Sequence, residues 1–159
     1  MKKNILYIIT ALLLGIQGLY AQDRLFDRLA NNDNVTVVYI SKALLDMMPN
    51  LEATAGNADL KKLANKLEQI EIYTCDDDSK TIKQMQTEMK GLLQDKTYSS
   101  LMSIKEKNQF VNFFGLKQND RYKDLIMTVD EGKSATIIRI KGNFTSDDVK
   151  DVIKKTNTK

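Results

Sequence analysis

The stretch from Ser100 to Gly142, SLMSIKEKNQFVNFFGLKQNDRYKDLIMTVDEGKSATIIRIKG, decides the fold. Its apolar residues recur with a period of two, and four runs stand out: SLMSIKE, QFVNFFGLK, YKDLIMTVDE and SATIIRIKG. A period of two places alternate side chains on opposite faces of a strand. The linkers KN, QNDR and EGK are short and polar, and such linkers join antiparallel neighbours. The stretch therefore predicts a four-strand antiparallel meander.

Within it, FVNFF puts Phe110, Asn112 and Phe114 on one face and Val111 and Phe113 on the other. YKDLIMTVDE puts Leu125, Met127 and Val129 on one side and Tyr122 and Ile126 on the other. A sheet with one solvated side needs only one apolar face. Two partly apolar faces predict either helical cover on both sides or a surface that awaits a partner, and we expect intramolecular cover.

Upstream the period is mixed. The run KTIKQMQTEMKGLLQ, 80–94, carries Ile82, Met85, Met89, Leu92 and Leu93 as one helical stripe. IEIYT, 70–74, alternates as a strand. Leu60, Leu63, Ala64 and Leu67 fall at helical spacing after a possible cap at Asp59, with Lys61, Lys62 and Lys66 outside the stripe. VTVVYI, 35–40, is apolar at nearly every position and β-branched, the composition of a strand buried on both faces, and it predicts a central position in the sheet. Ser41 is a candidate N-cap for KALLDMM, which Pro49 stops. Residues 49–58 read as a loop. Asp23 is a candidate cap for a short helix bearing Leu25, Phe26 and Leu29, which NNDN, 31–34, ends. Downstream, Thr145 stands three residues before Asp148, a variant of the capping box, and opens a helix whose inward face is Val149, Val152 and Ile153. The elements predict one α+β domain, residues 22–159, with a largely antiparallel sheet and helices packed mainly on one face.

Residues 1–21 form a separate segment. Lys2 and Lys3 precede an uncharged, mostly apolar stretch from Ile5 to Tyr20 that ends at the small Ala21, the pattern of a cleaved secretory signal peptide. It is shorter than the roughly 20 residues that span a bilayer, so the expectation is an exported protein, periplasmic or secreted, with no transmembrane segment after cleavage. No cysteine stands at the cleavage position, so it is not expected to be a lipoprotein. Loss of Lys2 and Lys3 leaves 22 basic against 21 acidic residues, a net charge of +1, and there is no dense basic block to hold nucleic acid.

The chemistry available is narrow. The chain has no histidine, which removes the commonest general base and transition-metal ligand along with Ser-His-Asp and Cys-His catalysis. The single cysteine, Cys75, leaves no internal disulfide, and its acidic neighbours Asp76, Asp77 and Asp78 raise a thiol's pKa, so it reads as a structural thiol or one free to form an intermolecular bridge. A calcium loop starting at Asp77 would place Ser79, Thr81 and Glu88 at the ligand positions, but Ile82 occupies the position that needs glycine and already belongs to the helical stripe. Asp76 to Asp78 instead read as a strand end and helix cap. GKS at 132–134 lacks the first glycine of a phosphate loop, since Met127 stands there, and Gly132 reads as a hairpin residue. The acid pairs Asp130–Glu131 and Asp147–Asp148 read as solvated caps, the methionines at 47, 48, 85, 89, 102 and 127 as core filler, and Lys61, Lys62, Lys66, Lys150, Lys154 and Lys155 as solvated helix exteriors. No catalytic, cofactor or metal residue is assigned.

The patterns VTVVYISKALLDMMP, IEIYTC and LIMTVDEGKSATIIRIKGNFTSDDVKDVI, in which a hydrophobic hairpin leads to a Lys-Gly pair and a final helix, resemble the small exported Bacteroidetes proteins of domain-of-unknown-function family 4252. The resemblance covers nearly all of the chain after Ala21 and implies an envelope or secreted location, with a possible link to extracytoplasmic sigma-factor signalling. It supplies no catalytic or binding residues. The function expected is a non-enzymatic module that binds another envelope or secreted molecule, through its sheet or a helix face. The alternatives are a regulatory component of a sigma/anti-sigma type system and a carboxylate-dependent hydrolase, which requires two acids converging in a cleft.

Overall fold

A computed structural model describes residues 17–47, 65–94 and 97–156. The elements are α1 (Gln17–Ala30), β1 (Thr36–Ser41), α2 (Lys42–Met47), β2 (Leu67–Asp76), α3 (Ser79–Gln94), β3 (Tyr98–Lys105), β4 (Phe110–Gln118), β5 (Arg121–Asp130), β6 (Ser134–Phe144) and α4 (Ser146–Thr156). The six strands form one sheet in the order β1-β2-β6-β5-β4-β3, and every neighbouring pair is antiparallel. After β2 the chain crosses through α3 to the far edge, and the meander then walks back strand by strand until β6 lies beside β2. This is an α+β domain with the expected meander.

Local chemistry sets the turns. Asn119 and Asp120 both adopt positive φ, 48° and 62°, the left-handed pair that a two-residue hairpin loop needs, and Asn and Asp tolerate it best after glycine. Gly132 at φ 80° is the hairpin residue between β5 and β6, with its N–H donated to Asp130 Oδ1 at 3.0 Å. Gly142 has a different task. A Cβ there would stand 2.4 Å from the Lys66 carbonyl oxygen and 2.5 Å from the Phe144 ring, so only glycine lets the chain entering β2 cross this close.

Two helix starts fit their expected caps. Ser41 Oγ accepts the Leu44 N–H at 3.3 Å. At α4 the box is reciprocal: Asp148 N–H donates to Thr145 Oγ1 at 3.2 Å, while Thr145 N–H donates to Asp148 Oδ2 at 2.7 Å. At α1 the structure differs, because the helix runs unbroken from Gln17 through Asp23 rather than starting there.

The main core lies between the sheet and two helices. Leu25, Phe26 and Leu29 of α1 and Ile82, Met85, Met89 and Leu92 of α3 pack on Tyr73, Cys75, Ala135, Ile137, Ile126, Leu116 and Tyr98. Burying an apolar side chain of this size stabilises by about 1.5–3 kcal/mol relative to exposure, which is why the i, i+3, i+7 stripe of α3 faces inward. A smaller core lies on the opposite face, where Val149 of α4 packs with Phe113, Leu125 and Phe144, flanked by Leu67, Tyr122, Met127 and Ile140. The second apolar face thus has intramolecular cover at the α4 end. Tyr122 joins this second cluster, not the Ile126 side as strict alternation predicts, because a bulge between Tyr122 and Asp124 shifts the register by one residue.

Three other expectations are corrected. β1 is an edge strand, not a central one, with Val37, Val38 and Tyr39 exposed at 37%, 45% and 60%. Lys66 lies in a turn and Leu67 opens β2, so neither belongs to a helix; Asp59, Leu60, Lys61, Lys62, Leu63 and Ala64 lie outside the described residues, as do Met48, Pro49 and the loop to 58. Met47 is 71% exposed and fills no core.

Candidate functional site

A concavity lies where α3 stands off the sheet near the hairpin end of the meander. It encloses about 340 Å³ between the helix residues Met85, Gln86, Met89, Lys90 and Leu93 and a floor that includes Phe110, Asn112, Thr128, Asp130 and Ile137. The helix stripe that packs the core on one side becomes the apolar wall of the groove on the other, where Leu93 packs on the core but stays half-buried. Phe110 stands at the mouth, 45% exposed, with Lys105 Nζ 5.3 Å from its ring centre.

Alternation on β4 and β5 supplies the polar floor. Asn112 Nδ2 donates to Thr128 Oγ1 at 3.5 Å, and Ser103 Oγ donates to Asn112 Oδ1 at 2.8 Å. Asp130 closes one end, accepting from Gln86 Nε2 and from the Gly132 N–H. Lys90, on the wall, has no ion-pair partner among the described residues. An apolar trough with a few polar groups and one unpaired cation suits a ligand that is mostly apolar and carries an acidic or hydrogen-bonding end.

Beside the groove, under α1, a charged cluster is sealed into the core. Arg139 on β6, Asp124 on β5 and Glu71 on β2 are only 4%, 6% and 7% exposed. Arg139 Nε and Nη2 each donate to Asp124 Oδ2 at 2.8 Å, and Nη1 lies 3.6 Å from Glu71 Oε2. Tyr98 donates its hydroxyl to Asp124 Oδ2 at 3.0 Å and Tyr73 donates to Glu71 Oε2 at 2.9 Å, with Gln69 Nε2 on the other Glu71 oxygen. The guanidinium carbon sits 4.1 Å from the centre of the Phe26 ring.

Burial pushes the Asp124 carboxyl above its ordinary range even though Arg139 pulls it back, and its Oδ1 has no hydrogen-bond partner. Burial would lower the Arg139 guanidinium, but Asp124 and Glu71 outweigh it and hold the group above its ordinary value. Burial and the Glu71 charge raise the Tyr73 phenol. The cluster ties three strands to α1.

The residues weighed in the sequence fall elsewhere. Cys75 is a free thiol, 1% exposed, raised by burial and by the Asp78 charge. Asp78 caps α3, with Oδ1 accepting the N–H groups of Lys80 at 3.0 Å and Thr81 at 3.3 Å, and these bonds with the Thr81 hydroxyl lower its pKa. Asp77 turns the chain at φ 57°, and Ile82 is buried, so the calcium-loop geometry is absent there. Asp148 is not a solvated cap: Lys66 Nζ binds its two oxygens at 2.7 and 2.6 Å. Burial works against its ionisation, but Lys66 and Thr145 hold it at about 2. Lys66 is accordingly half-buried, not part of a solvated helix exterior. Lys150 is exposed and pairs with Asp147 at 3.0 Å. Asp130 is brought to the groove, while Glu131 accepts from Gln109 and Ser134 outside it.

Residue-by-residue reading missed the Arg139 cluster. The signal is in the alternation: Arg139 stands in phase with the inward Ala135 and Ile137, and Glu71 in phase with Tyr73 and Cys75. Charged residues at inward positions of two strands imply a buried pair.

The fold is a small α+β domain with a groove between α3 and its sheet. The chain belongs to the family described as Domain of unknown function (DUF4252), which it matches over residues 26–152. No curated protein and no solved structure matches it. The match begins at Phe26, the α1 residue stacked on Arg139, and spans every element of the sheet.

Proposed function

We propose that this protein is an exported, non-enzymatic binding module of the cell envelope, and that the groove between α3 and the meander is its ligand site. The observation that carries the reading is the 340 Å³ apolar trough with Phe110 at its mouth and Lys90 unpaired on its wall. Pockets of about 300–1,000 Å³ with apolar lining and few polar groups are the usual form of small-ligand sites. The absence of histidine supports binding over catalysis. So does the placement of the acids: Glu71 and Asp124 converge on a buried arginine, whereas among the described residues the groove is lined by one acid, Asp130. Export is supported by the N-terminal pattern of Lys2, Lys3 and the apolar run to Ala21.

The site suits an amphiphile whose apolar part lies on Met85, Met89 and Leu93 and whose anionic end meets Lys90. The aromatic sulfonate 8-anilinonaphthalene-1-sulfonate is a suitable probe. It is expected to bind the processed protein saturably at one equivalent, with affinity lowered about five- to thirty-fold by Phe110→Ala and by Lys90→Glu, a loss of roughly 1–2 kcal/mol for a half-buried aromatic contact or an ion pair. Circular dichroism checks that both variants fold. Binding that neither substitution changes, or no saturable binding, refutes the groove as the site.

A further inference from the structure

We infer that β1 is a self-pairing edge, through which two copies join antiparallel into one continuous twelve-strand sheet. The sheet has two edges, and they are built differently. β3 carries a bulge between Ser100 and Met102, three serines, and Lys105 at its end, devices that discourage strand addition. β1, TVVYIS, has no charge, proline, glycine or bulge, and pairs with β2 in unbroken register from Thr36↔Thr74 to Ser41↔Gln69. Among the described residues its outer backbone groups have no neighbouring strand, and three consecutive large apolar side chains, Val37, Val38 and Tyr39, are exposed. The composition is that of a strand buried on both faces, and the position is that of an edge. A further strand beside β1 resolves the conflict.

A second copy fits that place by symmetry. A two-fold axis normal to the sheet keeps each face on its own side, so only residues of like face can oppose each other. With the axis at Val38, Val38 meets its own copy, Val37 meets Tyr39, and Thr36 meets Ile40, giving apolar and β-branched pairs throughout. The end of β1 near Thr36 is acidic, with Asp33 before it and Asp76 and Asp77 beyond the paired β2, while the other end carries the Lys42–Asp46 ion pair at 2.7 Å. Antiparallel pairing keeps the acidic end of each copy away from the acidic end of the other. Exposed Leu44 and Met47, 43% and 71%, extend the apolar surface past the strand. Six strand residues and these flanks fall short of the ~1,200–2,000 Å² of a standard stable interface, so the association is reversible and concentration-dependent.

Sedimentation velocity of the processed protein, Gln22 to Lys159, from about 5 to 500 μM is expected to show a monomer–dimer equilibrium. Val38→Lys puts like charges face to face across the axis and is expected to raise the dissociation constant about tenfold or more, with unchanged circular dichroism, because an edge strand accepts lysine. The register is read by cysteine crosslinking. Directly opposed strand residues have Cα atoms about 4.5–5.5 Å apart, within disulfide reach, so Val38→Cys is expected to oxidise to a dimer. Thr36→Cys, which this register separates from its own copy by four residues or about 13 Å, is expected not to. A monomer at every concentration, a dimer indifferent to Val38→Lys, or equal crosslinking at 36 and 38 overturns the proposal.

Discussion

Arg139→Met is the perturbation that tests the core most directly. The substitution keeps an unbranched stem of similar length against Phe26 but removes the two 2.8 Å bonds to Asp124 and the 3.6 Å approach to Glu71. Two carboxylates, each less than 10% exposed, are then left in the core without their cation. Breaking a buried pair in this way costs about 3–5 kcal/mol. For a domain of this size each kcal/mol lowers the melting temperature by about 2–4 °C, so the expected drop is about 6–20 °C.

The loss also has a pH signature. The Asp124 pKa is raised in the folded state, so its contribution to stability is fully present below the ordinary carboxylate value and is lost as pH rises through the raised one. Without Arg139 only the Tyr98 hydroxyl and the Lys141 charge work against the burial, and the folded pKa climbs further. The gap between variant and parent should therefore be widest at neutral pH and narrow towards pH 4. Adding Asp124→Leu to Arg139→Met removes one stranded charge and should recover more than half of the loss. Urea titrations followed by circular dichroism at pH 7 and pH 4.5 measure both effects. A loss below about 1 kcal/mol at pH 7, or one that widens in acid, refutes the view that this cluster is a desolvated ion network.

Two further substitutions follow from the same structure. Gly142→Ala drives a methyl into the Lys66 carbonyl oxygen at 2.4 Å, a backbone atom that cannot swing aside, and is expected to cost about 1–3 kcal/mol by urea titration; a neutral result refutes the close crossing. Lys66→Met removes the cation that helps to hold Asp148 at about 2, and since both partners are partly exposed the loss is about 1–2 kcal/mol at pH 7. A depressed carboxylate contributes stability above its ordinary pKa and loses it as pH falls through the folded value. The difference between parent and Lys66→Met should therefore be constant above about pH 5 and shrink between pH 4 and 2.

Features governed by near neighbours in the chain were legible in the sequence. The stripe of α3, the Thr145–Asp148 box, the Ser41 cap and the Gly132 hairpin each depend on residues within a few positions of one another, and the meander depends on a period of two with short links. The candidate site was legible only in pieces. Met85 and Met89 were readable as apolar stripe residues, but whether a stripe faces core or groove depends on how far the helix stands from the sheet, which distant strands set. Arg139 looked like any strand arginine until β2 and β5 brought Glu71 and Asp124 to it, from 68 and 15 residues away in the chain.

By itself, the sequence determined most of the helices and strands, where most of them turn, and that no histidine chemistry is available, because backbone propensity and side-chain inventory are local properties. Only the tertiary structure decided that β1 lies at an edge, that Lys66 pairs with Asp148 across 82 residues, that a bulge sends Tyr122 to the second core, and that three charges share one buried site. Those depend on strand order and register, which are set by total burial over the whole sheet and not by any one segment.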